Sequence, residues 1–488
     1  VGVRVSGILF GILIRRILGP QLIGIWNVLD MLASYLQAVT LGLQYSTERL
    51  LPLHRQREER AEQDRIVRLV FSWNILETLV VAVATAVVLF FFADKYAAEL
   101  RRALYFLPFL FAGQKLLSVY PMLLRSTKEF SAYASSNFLI AQLDWLLLAW
   151  AWFGGLQGVL MGSVLNTAIK VAYYRRIGLA QGLFSFRFRV DVPALRPHFP
   201  YAPRYALFKG LFVTIERIDS TLVAYLLGTT ALGYYYLGYR LASTALEIPH
   251  AVVYVAYPHL MESLARRVGE ARAFPGEFER FLRLTVFLVL PVVIPLAYFG
   301  SDFVVRQILP AFAPGIPAIK VLMLAIGVQA LRQLYYRAFM AHEKVGSLAW
   351  ASACYFPAFF AFFAGARLLE VEPLTAVAIA ALLAHTGNLC ILYVASRSWI
   401  YQEASNAYRR RAGLIVLSHF SLLLAIVGID AISPGDMSGT LGHSVLELAL
   451  KLALAAVAAG LFAYVGLGAD RQAIAMSAWR AIGGKRET

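Results

Sequence analysis

Leu18-Gly19-Pro20-Gln21-Leu22-Ile23-Gly24-Ile25-Trp26 is echoed by Leu227-Gly228-Thr229-Thr230-Ala231-Leu232-Gly233-Tyr234-Tyr235. The offset is 209 residues, and at the same offset Leu32-Ala33-Ser34 is matched by Leu241-Ala242-Ser243. Farther along, Lys128-Glu129-Phe130-Ser131 is echoed by Lys344-Val345-Gly346-Ser347 at an offset of 216, a drift that connector insertions produce. Self-similarity over this length marks duplicated halves. In each copy the glycines permit a tight reversal between two apolar runs, and the aromatic after the second glycine is expected at the interfacial level.

The surrounding composition is that of a membrane protein. Of 488 residues, 59% are hydrophobic, only 15% are charged, and the mean hydropathy is +0.64. Soluble domains sit nearer 45–50% apolar. The charges fall in short bursts between apolar stretches of the roughly 20 residues that a helix needs to cross a bilayer. No alternating ten-residue barrel pattern is present. The expected fold is therefore an all-α integral membrane bundle of about 14 transmembrane helices. It comprises two parallel six-helix lobes, related by an axis along the membrane normal, plus two C-terminal helices. The boundaries expected are an N-lobe at 1–176, an interlobe cytoplasmic linker at 177–200 and a C-lobe at 201–396. Helices 13 and 14 follow within 411–468, with a cytoplasmic tail at 469–488. Phe184, Phe186 and Phe188, interleaved with Arg187 and Arg189, make the linker an interfacial segment. Val1 opens the chain without a methionine, which is read as a missing start, and no cleavable signal precedes the first run.

Orientation follows the basic residues. With a cytoplasmic N-terminus the inner connectors and tail hold 26 Lys and Arg, and the outer ones hold five, Lys95, Arg101, Arg102, Arg306 and Arg367. Arg15 and Arg16, near the outer end of the first span, are the exception. The expected location is the bacterial inner membrane with both termini cytoplasmic. The +16 net charge thus reads as topology signal and lipid contact, not as a nucleic-acid surface. Cys354 and Cys390 lie in apolar stretches and are expected as small core residues, not a disulfide or metal pair.

Ionisable residues inside spans mark candidate sites, because a mid-membrane charge costs roughly 2.5–3.5 kcal/mol on insertion scales. Arg240, Ser243, Glu247, His250 and Tyr254 recur at steps of three and four and share one face of the eighth span. Its repeat mate carries Asp30, Ser34, Gln37, Gln44 and Glu48. The seventh span adds Lys209, Glu216, Asp219 and Ser220 on one stripe, with Arg204 and Arg217 beside it; Arg4 lies in the first span. Asp144, Lys170, Arg332, Arg337 and His385 are further candidates. Bland alternatives stand beside these: Arg204, Arg49 and Lys170 lie close enough to helix ends to snorkel. Glu216, Asp219 and Glu247 are either structural ion-pair partners or cavity residues, and His250 alone is as readily a packing residue. Arginines facing a cavity need an anionic guest, and the planar guanidinium fork suits phosphate or pyrophosphate.

The Leu18–Trp26 run after an Arg-containing first span resembles the start of polysaccharide-exporter flippases, the O-antigen (Wzx-type) branch of the MOP superfamily. Glu216-Arg217-Ile218-Asp219-Ser220 leading into Leu227–Tyr235 resembles that family's seventh and eighth helices. The resemblance implies a flippase that carries undecaprenyl-pyrophosphate-linked oligosaccharide from the cytoplasmic to the periplasmic leaflet, its two lobes rocking around a cationic cavity. The resemblance carries the family's cavity roles onto Arg4, Arg204, Arg217 and Asp219. With the polar stripes, the expected substrate-facing residues are Arg4, Arg204, Arg217, Arg240 and Lys209, and Asp219, Glu216, Glu247 and His250 are the coupling or ion-pair set. A proton gradient, a sodium gradient and the membrane potential are all open as the driving force. Cofactors, metals and catalytic residues are not expected. Implied partners are the lipid-linked glycan, membrane lipids and polysaccharide polymerase or assembly machinery. In related lipid II flippases the last two helices shape a lipid-tail groove, with which Lys451 is at odds here. Rival readings are a lipid II flippase, a multidrug antiporter of the same superfamily, and an integral-membrane polymerase or ligase. The last needs a large outer loop, whereas the longest outer connector here is about 16 residues, 300–315.

Overall fold

The computed structural model describes residues 2–39, 59–126, 129–180, 202–265, 273–342, 344–397, 399–400, 406–432 and 439–467. These form helices, with no strand among the described residues. In chain order they are α1 (Gly2–Val39), α2 (Arg60–Phe92), α3 (Ala98–Leu104), α4 (Leu107–Ser126), α5 (Phe130–Leu143), α6 (Leu146–Ala180) and α7 (Ala202–Ala265). There follow α8 (Ala273–Leu284), α9 (Leu290–Phe303), α10 (Ile316–Ala341), α11 (Val345–Ala353), α12 (Tyr355–Leu368), α13 (Pro373–Ser396), α14 (Asn406–Ile432) and α15 (Leu441–Leu467). Among the described residues, ten stretches are long and apolar enough to cross a membrane, so the chain is a multi-pass membrane protein. The aromatic-basic linker segment expected at 184–189 lies outside the described residues.

Three of the long helices are broken at a glycine with positive φ: Gly19 (φ 72°, ψ 175°), Gly155 (φ 54°, ψ −139°) and Gly228 (φ 83°, ψ −177°). That backbone region is closed to residues with a Cβ. At Gly155 the chain folds back on itself. Gly158 lies against the Trp150 carbonyl and Gly162 against the Trp150 ring, while Asn166 donates to the Leu143 carbonyl at 2.7 Å. Around Gly19, Phe10 and Asp30 line one cavity. An unbroken helix would hold those two residues about 30 Å apart, so the chain reverses here as well. Gly228 interrupts α7, which unbroken would be about 96 Å long. Gly19 and Gly228, 209 residues apart, share one backbone conformation.

The echoed turns also touch. A Cβ on Gly24 would overlap the carbonyl of Thr229, and a Cβ on Gly233 would overlap the carbonyl of Pro20. Both contacts relate the same two positions of the repeat, exchanged, so the contact is reciprocal about a local two-fold. Trp26 lines the cavity beside Asp30, and Tyr234 packs on Gly315 and, edge-on, on Phe312.

The chain divides into two compact units, Val1–Gly233 and Tyr234–Thr488. In the first, two apolar layers enclose a polar interior. One joins Ile66, Val70 and Phe71 of α2 to Tyr120 and Leu123 of α4 and Tyr174 of α6, where the Tyr120 and Tyr174 rings stack at 5.4 Å. The other joins Ile25, Leu29 and Ala33 of α1 to Leu104, Phe111 and Leu160. Residues 202–233 pack against α1 within this unit, through contacts given below.

In the second unit α14 and α15 are fastened to α9 and α10 by charge. Lys320 pairs with Asp302 (3.2 Å) and Asp430 (2.8 Å), Lys451 with Asp430 (3.3 Å) and Glu447 (3.0 Å), and Arg306 with Asp302 (2.7 Å). Tyr298 donates to Asp430 at 3.1 Å. Lys451, which clashed with a purely apolar groove, is therefore buried and doubly paired. The cysteines depart from expectation too: Cys354 and Cys390 are free thiols exposed on the helix surface instead of core residues. Glu372 caps α13, accepting the amides of Leu374 (3.0 Å) and Thr375 (2.7 Å). Burial opposes its charge, but these bonds, the Thr375 hydroxyl and Arg367 hold the carboxyl below its ordinary value.

The glycine contact has a direct test. Gly24→Ala and Gly233→Ala should each lower the thermal unfolding midpoint of the detergent-solubilised protein, at a cost of about 1–3 kcal/mol from overpacking. Gly7→Ala, a position with open space around it, should leave the midpoint unchanged.

Candidate functional site

The polar interior of the first unit is built where the second segment of α1 (20–39) meets the first segment of α7 (202–227). They run antiparallel, since Gly24 meets Thr229 at one end and Gln37 meets Lys209 toward the other. Arg217 reaches Asp30 at 3.3 Å and donates to the Ser34 hydroxyl at 3.3 Å. Tyr35 and Thr221 share a hydrogen bond of 2.8 Å, and Lys209 donates to the Gln37 carbonyl at 3.3 Å. Gln37 in turn donates to Gln114 of α4 at 2.8 Å. Asp30 and Ser34 are one turn apart on a single helix, which is why one guanidinium reaches both.

Two further ion pairs complete this interior. Lys115 of α4 and Glu77 of α2 pair at 3.3 Å with side chains only 1% and 9% exposed. Glu77 also acts electrostatically on Lys209. Lys170 of α6 holds Asp144 at 2.6 Å. Asp30, Gln114, Asp144, Asn166 and Lys170, with the rings of Phe10 and Trp26, line a cavity of about 280 Å³. Its polar wall can orient water or a small polar group. The three pairs differ in tightness. The Lys170–Asp144 bond is short, whereas the Arg217–Asp30 and Lys115–Glu77 pairs, both 3.3 Å, exceed the roughly 2.7–2.9 Å of a settled charge-assisted bond. Arg217 and Asp30 also keep 15% and 33% of their side-chain exposure.

The residues expected from sequence are dispersed over these surroundings. Arg217 and Lys209 join the polar interior. Asp219 is 6% exposed and its Oδ1 accepts the Ser220 amide at 2.6 Å, while Glu216 is half-buried nearby on α7. Arg4 and Arg204 lie on α1 and α7, and their side chains fall outside the described residues. In the second unit Arg240 is exposed, and its carbonyl accepts the hydroxyls of Ser243 and Thr244. Glu247 and His250 are half-buried, and Tyr254 is 62% exposed under the Arg337 guanidinium. Glu77 and Lys115 were missed. Each is an isolated charge inside an apolar run, and that isolation was the available signal.

Comparison with known proteins bears on this arrangement. A family model described as a polysaccharide biosynthesis protein matches residues 15–310. No curated protein sequence matches the chain. Among solved structures, an inward-facing multidrug resistance transporter of the MATE family, MOP superfamily, is similar with a TM-score of 0.67 at 12% identity. The match covers 83% of this chain and 96% of that one. The lipid II flippase MurJ, inward closed, gives a TM-score of 0.65 at 12% identity over 95% of this chain and 97% of that one. A MOP superfamily transporter from Pyrococcus furiosus, whose binding pocket is described as reversed in polarity, gives 0.60 at 11% over 83% and 94%. The chain thus shares its fold with these transporters and with the flippase.

The buried pair gives the prediction here. Glu77→Gln strands an ammonium that is 1% exposed and should destabilise the protein by about 3–5 kcal/mol. Glu77→Leu with Lys115→Met should recover most of that loss. Asp94→Asn, which breaks an exposed pair with Arg101, should leave unfolding unchanged within error. Equal midpoints for Glu77→Gln and wild type would contradict the pairing.

Proposed function

The chain belongs to the polysaccharide biosynthesis protein family, and on that premise we propose that it is a flippase for undecaprenyl-pyrophosphate-linked oligosaccharide. The cargo, an O-antigen or other polysaccharide repeat unit, moves from the cytoplasmic to the periplasmic leaflet by alternating access. The observation that carries this reading is the Arg217 guanidinium, 3.3 Å from Asp30, a carboxylate that lines the polar cavity. Asp30 is one-third exposed, and a pyrophosphate offers the guanidinium a stronger, bidentate acceptor set. Lys209 lies two turns away on the same helix and adds a second cation along the path. Arg4, Arg204 and Arg240 complete the proposed substrate-facing set. Asp219, Glu216, Glu247 and His250 are the proposed coupling groups for a proton or sodium gradient.

We read fourteen crossings by dividing the candidate spans at Gly19 and Gly155 and by counting both arms of α7. The even count puts both termini on the basic, cytoplasmic side of the inner membrane. Its two six-helix lobes are the duplicated halves, with α14 and α15 outside the duplication. Polymerase or assembly proteins would receive the flipped unit.

A lipid II flippase is the second reading, favoured by the longer structural match: 95% of the chain against MurJ, compared with 83% against the drug transporter. Reconstitution separates the two. Proteoliposomes holding the full-length chain should flip a defined undecaprenyl-pyrophosphate oligosaccharide, with lipid II a poor substrate and poor competitor. Preferential flipping of lipid II would transfer the assignment to the second reading, and flipping of neither would overturn both.

A further inference from the structure

Arg332, near the middle of α10, is 3% exposed, and its Nη1 donates to Nδ1 of His385 on α13, itself 6% exposed. A guanidinium has no acceptor, so Nδ1 carries a lone pair and His385 is neutral, with its proton on Nε2. The buried ammonium groups of Lys115 and Lys451 each have a carboxylate close by, at 3.3 Å and 3.0 Å. Arg332 has none among the described residues, and its buried Nε lacks a hydrogen-bond partner. The face of Tyr336, 5.4 Å from the guanidinium carbon, is its other favourable contact.

The other side chains described around this pair are neutral. Tyr355 of α12 lies over the imidazole at 4.7 Å between centroids. Tyr336 donates to Asn388, one turn along α13 from His385, and shares a bond with Ser352 of α11. Among the described residues Arg332 is the one charged group acting on His385. An isolated guanidinium in such a place costs several kcal/mol, and a neutral imidazole does not offset its charge. The missing element is a negative charge.

We propose that Arg332 and His385 form a site for a small inorganic anion of the halide class, and that the anion binds there together with a proton. The anion takes the place that a carboxylate occupies beside Lys115 and Lys451. With it present, a protonated His385 and Arg332 can face one site; without it, the proton would set two cations in contact. Anion binding and His385 protonation therefore favour each other. The 3% exposure of Arg332 leaves no open route for a pyrophosphate-linked glycan, so the guest is small. This site stands whether or not the flippase reading does.

Chloride is the probe. The full-length protein in detergent is titrated with chloride against gluconate at constant ionic strength, following the unfolding midpoint and, in weak buffer, proton uptake. Chloride should raise the midpoint, with an apparent affinity that strengthens by up to about tenfold per pH unit of acidification. Uptake should approach one proton per chloride bound. His385→Gln should keep the chloride response and lose its pH dependence, and Arg332→Gln should lose the response. A wild-type response without proton uptake, no response, or an unchanged response in Arg332→Gln would each overturn the proposal. Should Arg332→Gln not fold, proton uptake by the wild type and the pH profile of His385→Gln still decide it.

Discussion

Inside a bilayer an apolar side chain gains little by leaving lipid, so helices are held together by close backbone approach and by polar pairs. Both devices are concentrated in this chain at a few residues. Gly24 and Gly233 let two backbones meet where a methyl would not fit. Lys115 with Glu77, and Lys320 and Lys451 with their acids, place opposite charges where neither could stand alone. Removing one member of such a pair is therefore costlier than removing both, because the survivor is left charged in a low-dielectric interior.

These two devices serve different ends. The glycine contact joins positions that are equivalent in the two copies of the repeat, which is how a duplicated sequence closes on itself. The charge network at Asp302, Lys320, Asp430 and Lys451 ties α14 and α15 to α9 and α10. A terminal pair fastened in this way can present an apolar outer face to lipid while its few polar atoms are satisfied within. In the first unit the Arg217–Asp30 pair is partly exposed, unlike the equally long Lys115–Glu77 pair. Partial exposure at a polar cavity is what a transient anionic guest requires.

Much of the architecture was legible from the residues. Constant offsets located the repeat, and the glycines at 19 and 228 carried their meaning because only glycine adopts that backbone with ease. The spacing of Asp30 and Ser34 put both on one face, as found. Partner choice was less legible. Glu77 and Lys115 are far apart in sequence, and only the packing of α2 on α4 makes them a pair. The stripe from Arg240 to Tyr254 illustrates the converse limit: periodicity defines a face without saying what that face meets, and both ends of this one are exposed. The cysteines failed likewise, because in lipid an apolar neighbourhood in sequence does not mean a buried one.

In the proposed transport step Arg217 leaves Asp30 for the anionic head of the cargo. The decisive measurement exchanges the pair, Asp30→Arg with Arg217→Asp, and follows glycan flipping alongside unfolding of the same preparation. The exchanged protein should unfold near the wild-type midpoint, since the pair keeps its charges, yet fail to flip. Flipping at the wild-type rate would contradict this step and reduce the pair to a structural strut.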